Sequence, residues 1–407
     1  MLNKDGAREL AYLVHIDAIE PIVGSDNCEA AVVGGWRVMV RKNTFSADDP
    51  AIYFEIDSKV DPENPAFGFL AGKHYAVKTQ RYKFGGAGNF LSQGLLMHPL
   101  DFDWEIIDKN TIKSLTGEHK IDDESRFLTK ELKVTYYIPE DNSRKSSYDK
   151  YKAMAQRCGK LFAHQPFRWL MHRDWGKKLL FIFFGKKKDK RTDWPVWVSR
   201  TDEERIQNLP FLLEDKAPWI VTEKVDGSST TFTLHKEKFG KKKYLVCSRN
   251  VVFDSPKKNE KLFYDSNIYL EMSEKYHIEE ALNKILENDF PEAEWVTLQG
   301  ETYGEKVQNR DYHLKGHDFK GFNLVISTKG RLNSIESRDI MAKYGIPWVP
   351  ILRDDYILPD TIDEVLTYAE GISEVDGDPR EGLVFRSLDG VKSFKAVSNS
   401  YLLKYHG

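Results

Sequence analysis

The stretch Trp219 to His235 reads WIVTEKVDGSSTTFTLH. Apolar residues alternate with polar ones on both sides of Lys224, and Asp226-Gly227 sits between the two runs. This pattern predicts strand, tight turn, strand. A lysine beside such a turn projects into a cleft. Its amine is protonated near neutral pH and then carries no nucleophilic lone pair. Burial or neighbouring cations lower its pKa and release that pair. Attack on the α-phosphorus of a nucleotide would give a lysine–AMP phosphoramidate, with metal ions neutralising the phosphate charge. Taken alone, Lys-x-Asp-Gly fits an ordinary hairpin turn equally well, so the reading rests on the flanking sequence.

Downstream, further polar segments punctuate the apolar runs. CSRN (Cys247 to Asn250) places Arg249, a fixed cation with a planar donor fork, after a run of strand character. LQGETYG (Leu298 to Gly304) sets Glu301 between glycines, where backbone approaches a ligand closely. FKGFNLV (Phe319 to Val325) offers Phe322, with Phe319 as the rival, as a ring for stacking on a base. EGLVFRS (Glu381 to Ser387) puts a carboxylate before a glycine and an apolar strand, a donor suited to a hydrated divalent cation. VKSFKAVS (Val391 to Ser398) supplies Lys392 and Lys395 as point charges for phosphate. Upstream lies SRTDEERIQNLP (Ser199 to Pro210), with Arg200 and Arg205.

Together with EKVDGSS, these segments resemble, in order, the motifs of the covalent nucleotidyltransferases: RNA ligases, DNA ligases and mRNA capping enzymes. The resemblance covers residues 196–407. It implies that Lys224 is the nucleophile and that Asp226, Glu301, Glu381, Lys392 and Lys395 complete the catalytic set. Glu381 and Asp226 would serve the metal. Glu223, Gly227, Ser228, Arg249, Asn250 and Phe322 would bind the nucleotide. Arg205, in preference to Arg200, would touch its phosphates.

The N-terminal third is different. LAYLVHIDAI, AAVVGGWRVMVRK and AIYFEID read as short strands at close spacing, which suggests a small barrel or sandwich. KHYAVKTQRYKFGGAGNFLSQGLL adds Lys78, Arg81, Tyr82, Lys83 and Phe90, cations and rings that suit nucleic acid or a plain charged strand face. Residues 140–195 have helix-compatible periodicity, an apolar LLFIFF (Leu179 to Phe184) expected as a buried strand, and a lysine run at Lys186 to Arg191. The expected α+β architecture is an OB-type β-barrel at 1–139, a helical connector with a basic cluster at 140–195, and a nucleotidyltransferase domain of antiparallel sheets at 196–407. Within the last, helices are expected at Ile278 to Asn288 and near Ser334 to Tyr344. A barrel placed before the transferase region, with none after Lys395, resembles the Deinococcus and Naegleria type of RNA ligase, the fifth RNA ligase family. That likeness implies ATP, Mg²⁺ or Mn²⁺, and nicked RNA or RNA/DNA duplexes with 3′-OH and 5′-phosphate ends. A GTP-using capping enzyme, a DNA-only ligase and a non-catalytic RNA-binding protein of the same fold are the rival readings.

Composition bounds the rest. The chain has 407 residues, with 60 Lys and Arg against 63 Asp and Glu, so a net charge of −3 argues against a passive polycationic coat on nucleic acid. Any basic groove must be local. Cys28, Cys158 and Cys247 are scattered without metal-ligand spacing, which fits a reducing compartment. With no apolar run of membrane-spanning length and no apolar leader, the expectation is a cytoplasmic monomer, or one in the host cytoplasm if phage-encoded.

Overall fold

The computed structural model describes residues 1–3, 6–85, 88–102, 126–137, 194–253 and 267–405, with isolated positions between 164 and 180. The chain forms two compact units, Met1–Tyr137 with Thr192–Gly407, and Ile138–Arg191. The second lies almost wholly outside the described residues. So do its expected helix, the lysine run at 186–191 and all of the expected 179–184 strand except Leu180.

The N-terminal strands are β1 (Ala11–His15), β2 (Ala18–Pro21), β3 (Cys28–Val33), β4 (Trp36–Arg41), β5 (Pro50–Phe54), β6 (Ser58–Lys59), β7 (Ala76–Val77), β8 (Gln80–Lys83), β9 (Asn89–Ser92), β10 (Leu95–Met97) and β11 (Thr135–Tyr136). β5 lies between β1 and β10, β3 between β2 and β4, β6 between β7 and β11, and β8 pairs with β9. Among the described residues these ladders form separate sheets rather than one closed barrel. The β3–β4 turn is Gly34-Gly35, both at positive φ (52° and 78°), the backbone that a two-residue hairpin turn needs. Alternation along β1 and β5 feeds two cores. Ala11, Leu13, Ile52 and Phe54 enter one cluster, while Tyr12, Ala51 and Tyr53 enter another, so both strands are buried on both faces.

The C-terminal region holds β12 (Trp219–Lys224), β13 (Ser228–Lys236), β14 (Lys242–Ser248), β15 (Val252–Phe253), β16 (Trp295–Gly304), β17 (His317–Ile326), β18 (Gly330–Arg331), β19 (Ile351–Tyr356), β20 (Gly382–Ser387) and β21 (Ser393–Val397). They build two antiparallel sheets, a four-stranded one ordered β19-β12-β20-β21 and a six-stranded one ordered β15-β14-β13-β16-β17-β18. Helices α1 (Ile268–Lys275), α2 (Ile278–Lys284) and α3 (Ser334–Lys343) pack on the large sheet through Met272, Ile278, Leu282 and Met341. The helix expected over 278–288 is α2 continued by a π turn through Asp289, and Asn333 caps α3 where its start was expected. Helix α4 (Ile362–Ala369), opened by a Thr361–Glu364 capping box, covers the outer face of the small sheet. Helix α5 (Asn399–Tyr405) follows β21 and lies against β9. Among the described residues no helix is long and apolar enough to cross a membrane.

Candidate active site

β12 and β13 flank Lys224 as the sequence predicts, yet they do not pair with each other. β12 belongs to the small sheet and β13 to the large one. Val225, Asp226 and Gly227 therefore cross from one sheet to the other, and a cavity of about 360 Å³ opens between the sheets at that crossing. Gly227 is required there by space. A Cβ on it would stand 2.4 Å from the carbonyl oxygen of Thr302 on β16.

The pleat decides which side chains enter the cavity. β12 pairs with β20 as Thr222↔Val384 and Lys224↔Gly382, and β20 pairs with β21 as Val384↔Lys395 and Arg386↔Ser393. Thr222, Lys224, Val384, Arg386 and Lys395 share one face and line the cavity. Val221, Leu383, Phe385, Phe394 and Ala396 take the opposite face and form the core under α4. Glu223 follows the core side. Its carboxylate accepts from the Ser373 hydroxyl and from the Glu374 amide (2.8 Å), so its backbone alone borders the cleft.

From the large sheet come Ser228, Ser229, Glu301 and Phe322. Phe322 is the extra residue of a β-bulge. β16 pairs Gln299 with Asn323 but Gly300 with Gly321, leaving Phe322 unopposed. Such a bulge re-aims a side chain. Phe319, its sequence rival, is wholly buried against Phe232 in the core. Arg249 follows β14 and stands at the mouth, donating to Asp202 (2.9 Å). Gln308 borders the cleft from the β16–β17 loop and donates to the Gly227 carbonyl (3.0 Å).

Lys224 Nζ donates to Glu381 Oε2 at 2.7 Å. Burial pushes the Lys224 ammonium down, but Glu381, Glu301 and Asp226 outweigh it and hold the group above its ordinary value. This corrects the expectation of a lysine depressed by its surroundings. Lys224 is held as an ammonium, first by its ion pair with Glu381. Glu301 is pushed up to about 8, first by burial, with Lys224 pulling it down and Glu381 and Asp226 adding to the rise. Lys395 is pushed down to about 8 by burial and by the Lys224 and Arg205 cations. Three carboxylates around one lysine leave room, in charge terms, for a hard divalent cation.

The remaining expected residues lie elsewhere. Lys392 does not reach the cavity; its Nζ donates to Asp215 (2.6 Å). Side chains alternate along a strand, so a residue three before Lys395 faces away from it. The cleft-side position two before Lys395 is Ser393, whose hydroxyl donates to Glu203. Asn250 is exposed beside Arg200 and outside the cavity lining. Arg205 lies behind the lining, bridged to Lys395 through the backbone and 5.4 Å from the Trp36 ring.

Several residues had no sequence signal. Arg386 is 3 % exposed, donates to Glu203 and Thr222, and stands 5.9 Å from the Phe322 ring at one end of the cleft. Asp226 is held by its amide, which donates to Tyr312 Oη (2.7 Å), and by Tyr401 Oη, which donates to its Oδ2 (2.7 Å). These partners come from distant strands, loops and helices, and only the fold brings them together.

Residues 217–406 match the family model described as RNA ligase, and residues 10–100 match a PHA02142 OB-fold domain. The chain is similar to solved structures of a Naegleria gruberi RNA ligase. One, a mutant with ATP and Mn, has a TM-score of 0.64 and 26% identity, covering 98% of this chain and 100% of that one. Another mutant, with AMP and Mn, has a TM-score of 0.64 and 27% identity over 98% and 99%. The same protein with PPi gives 0.63 and 27% over 98% and 99%. Comparison with curated protein sequences gives no match.

Proposed function

The C-terminal region, residues 217–406, belongs to the RNA ligase family, and from that premise we propose that the protein is an ATP-dependent ligase that joins RNA ends through a covalent Lys224–AMP. The observation that carries this reading is the convergence of Lys224, Asp226, Glu301, Phe322, Arg249 and Lys395 on one cleft, with Glu381, outside the cavity lining, 2.7 Å from Lys224 Nζ.

Three displacements at phosphorus follow. Lys224 loses its ammonium proton to solvent and its amine attacks the α-phosphorus of ATP; an N–P bond forms, the bond to the β-phosphate oxygen breaks, and pyrophosphate leaves as the nitrogen releases a second proton to solvent. An oxygen of a 5′-phosphate then attacks the lysyl-AMP, the N–P bond breaks and Lys224 regains its protons. Finally a 3′-OH attacks the activated 5′-phosphate, giving a phosphodiester and releasing AMP and the hydroxyl proton. Phe322 stacks on adenine across from Val384, Glu301 and Arg249 hold the ribose, and Lys395 neutralises the α-phosphate in flight. A divalent cation among Glu381, Asp226 and Glu301 would cancel the negative charge that keeps the proton on Lys224 and shield the phosphates. Mn accompanies ATP in the similar Naegleria structure, and Mg²⁺ has the same oxygen preference.

The N-terminal region holds the nucleic acid. Its β8–β9 hairpin pairs Tyr82 with Phe90 and Arg81 with Leu91, and Lys83 stands at the tip. Rings and cations on one small hairpin suit stacking and phosphate contact without base reading. We take the substrate to be a nicked duplex with an RNA 3′-OH strand.

The test is incubation with α-labelled ATP and Mg²⁺ or Mn²⁺. Label should remain on the denatured wild type and be absent from Lys224→Ala, with GTP failing to substitute. A wild type that takes no label, even after bound AMP is stripped with pyrophosphate, would sink the reading. Nicks with RNA or DNA on the 3′-OH side then decide the substrate.

A further inference from the structure

Helix α5 lies past the last motif-bearing strand, and its Tyr401 is wholly buried. The Tyr401 hydroxyl donates to Asp226 Oδ2 (2.7 Å), while the Asp226 amide donates to Tyr312 Oη (2.7 Å). Two tyrosines thus hold both the side chain and the backbone of the residue two after the nucleophile. They are tied together in turn. The Arg310 guanidinium lies 4.1 Å from the Tyr312 ring and 5.5 Å from those of Tyr401 and Tyr405. Arg310 pairs with Asp376, both side chains 2 % exposed, and donates to the Pro379 carbonyl (2.7 Å). The chain from Asp376 through Pro379 leads directly into Glu381. One buried guanidinium therefore joins the holders of Asp226 to the segment that carries the partner of Lys224.

Resting on the reading of Lys224 as the adenylylated nucleophile, we propose that Tyr401 is a positioning residue for that step, acting through Asp226. A carboxylate in a water-poor cleft is oriented by the donors it finds there, and a missing donor leaves it to turn or draw in water. Asp226 lines the cavity beside Lys224, so its orientation sets the field that Lys224 and an incoming polyphosphate meet. The hydroxyl lies away from the ATP cavity lining, so its loss weakens the transfer step more than nucleotide binding.

The experiment compares wild type, Tyr401→Phe, Asp226→Asn and the double variant in single-turnover transfer from α-labelled ATP, across ATP concentrations, with a thermal melt of each. Tyr401→Phe should melt as a folded protein and transfer about ten- to hundredfold more slowly at saturating ATP, the half-saturating concentration moving less than about threefold. In the Asp226→Asn background the same change should cost less than about twofold, because the two act as a unit. Wild-type transfer by Tyr401→Phe would overturn the proposal, as would an undiminished loss in the Asp226→Asn background, which would place the hydroxyl's action elsewhere. Should Tyr401→Phe fail to fold, 3,5-difluorotyrosine at position 401, which keeps the hydroxyl and changes only its strength as a donor, should change the transfer rate, and an unchanged rate would overturn the proposal. Absence of label on the wild type would defeat the functional reading and this role together; label on the wild type with an unaltered Tyr401→Phe would defeat this role alone.

Discussion

Lys224 at the end of β12 and Glu381 just before β20 meet across 2.7 Å, because the register of the two strands sets Lys224 opposite Gly382. The nucleophile of the proposed reaction is thus stored as half of an ion pair. Gly382, at φ 155°, allows the approach: a Cβ there would stand 2.2 Å from the Ala396 carbonyl oxygen.

This pairing predicts a pH signature. Removing the Glu381 charge lowers the Lys224 pKa, since an ammonium loses a stabilising anion. Glu381→Gln should therefore shift the ascending limb of the transfer profile, set by deprotonation of Lys224, to lower pH, while transfer at pH 7 with Mn²⁺ falls about a hundredfold as the proposed cation site weakens. A profile that keeps its wild-type limb would show that Glu381 does not hold the proton on Lys224.

Glu301 predicts a stability signature of the opposite kind. Its folded pKa of about 8 lies above the ordinary carboxylate value, so the folded state binds the extra proton between the two. The penalty is absent below the unfolded value and grows as pH rises toward 8. Glu301→Gln should raise the melting temperature of the nucleotide-free protein at pH 8–9 by about 2–4 °C and leave it nearly unchanged near pH 5. Equal effects at both pH values would contradict the assignment.

Lys395, pushed down to about 8, should couple nucleotide affinity to pH. A lysine that is partly neutral must take up a proton when phosphate binds, so affinity falls as pH rises above that value. Binding to the Lys224-bearing protein of an ATP analogue whose α–β bridge cannot be cleaved should weaken from pH 7 to pH 9, and Lys395→Arg should flatten that slope. A pH-independent affinity in the Lys395 protein would remove it from the phosphate site.

The two phenylalanines of β17 should separate cleanly. Phe322→Ala takes away a stacking face and should weaken ATP binding by about 1–3 kcal/mol, as base–aromatic stacking does elsewhere, with little change in melting. Phe319→Ala empties a core position and should destabilise the fold by about 3–5 kcal/mol. Reversal of the two outcomes, read by calorimetry and thermal melts, would exchange their roles.

Much of this site was legible in the chain. Alternation around Lys224 predicts strands, and a two-residue period places Lys224, Thr222 and Arg386 on one face once pairing is known. Pairing itself is not legible. That β12 and β13 enter different sheets depends on contacts of β12 with β19 and β20, which are more than a hundred residues away in the chain. The choice of Phe322 over Phe319 turns on one bulge, and a bulge leaves no compositional trace. Tyr401, Tyr312 and Arg310 are ordinary residues in sequence; their meaning is wholly tertiary. Lys392 was misplaced because motif likeness ignores the pleat, whereas the strand does not.

The crossing at Val225–Gly227 has one more consequence. It binds the two sheets together at Lys224, as a spine binds the covers of a book. Lys224 ends one sheet's strand, and Ser229, which pairs with Glu301, stands second in the other's, so a span of only three residues joins Lys224 to the strand that pairs with the Glu301 segment.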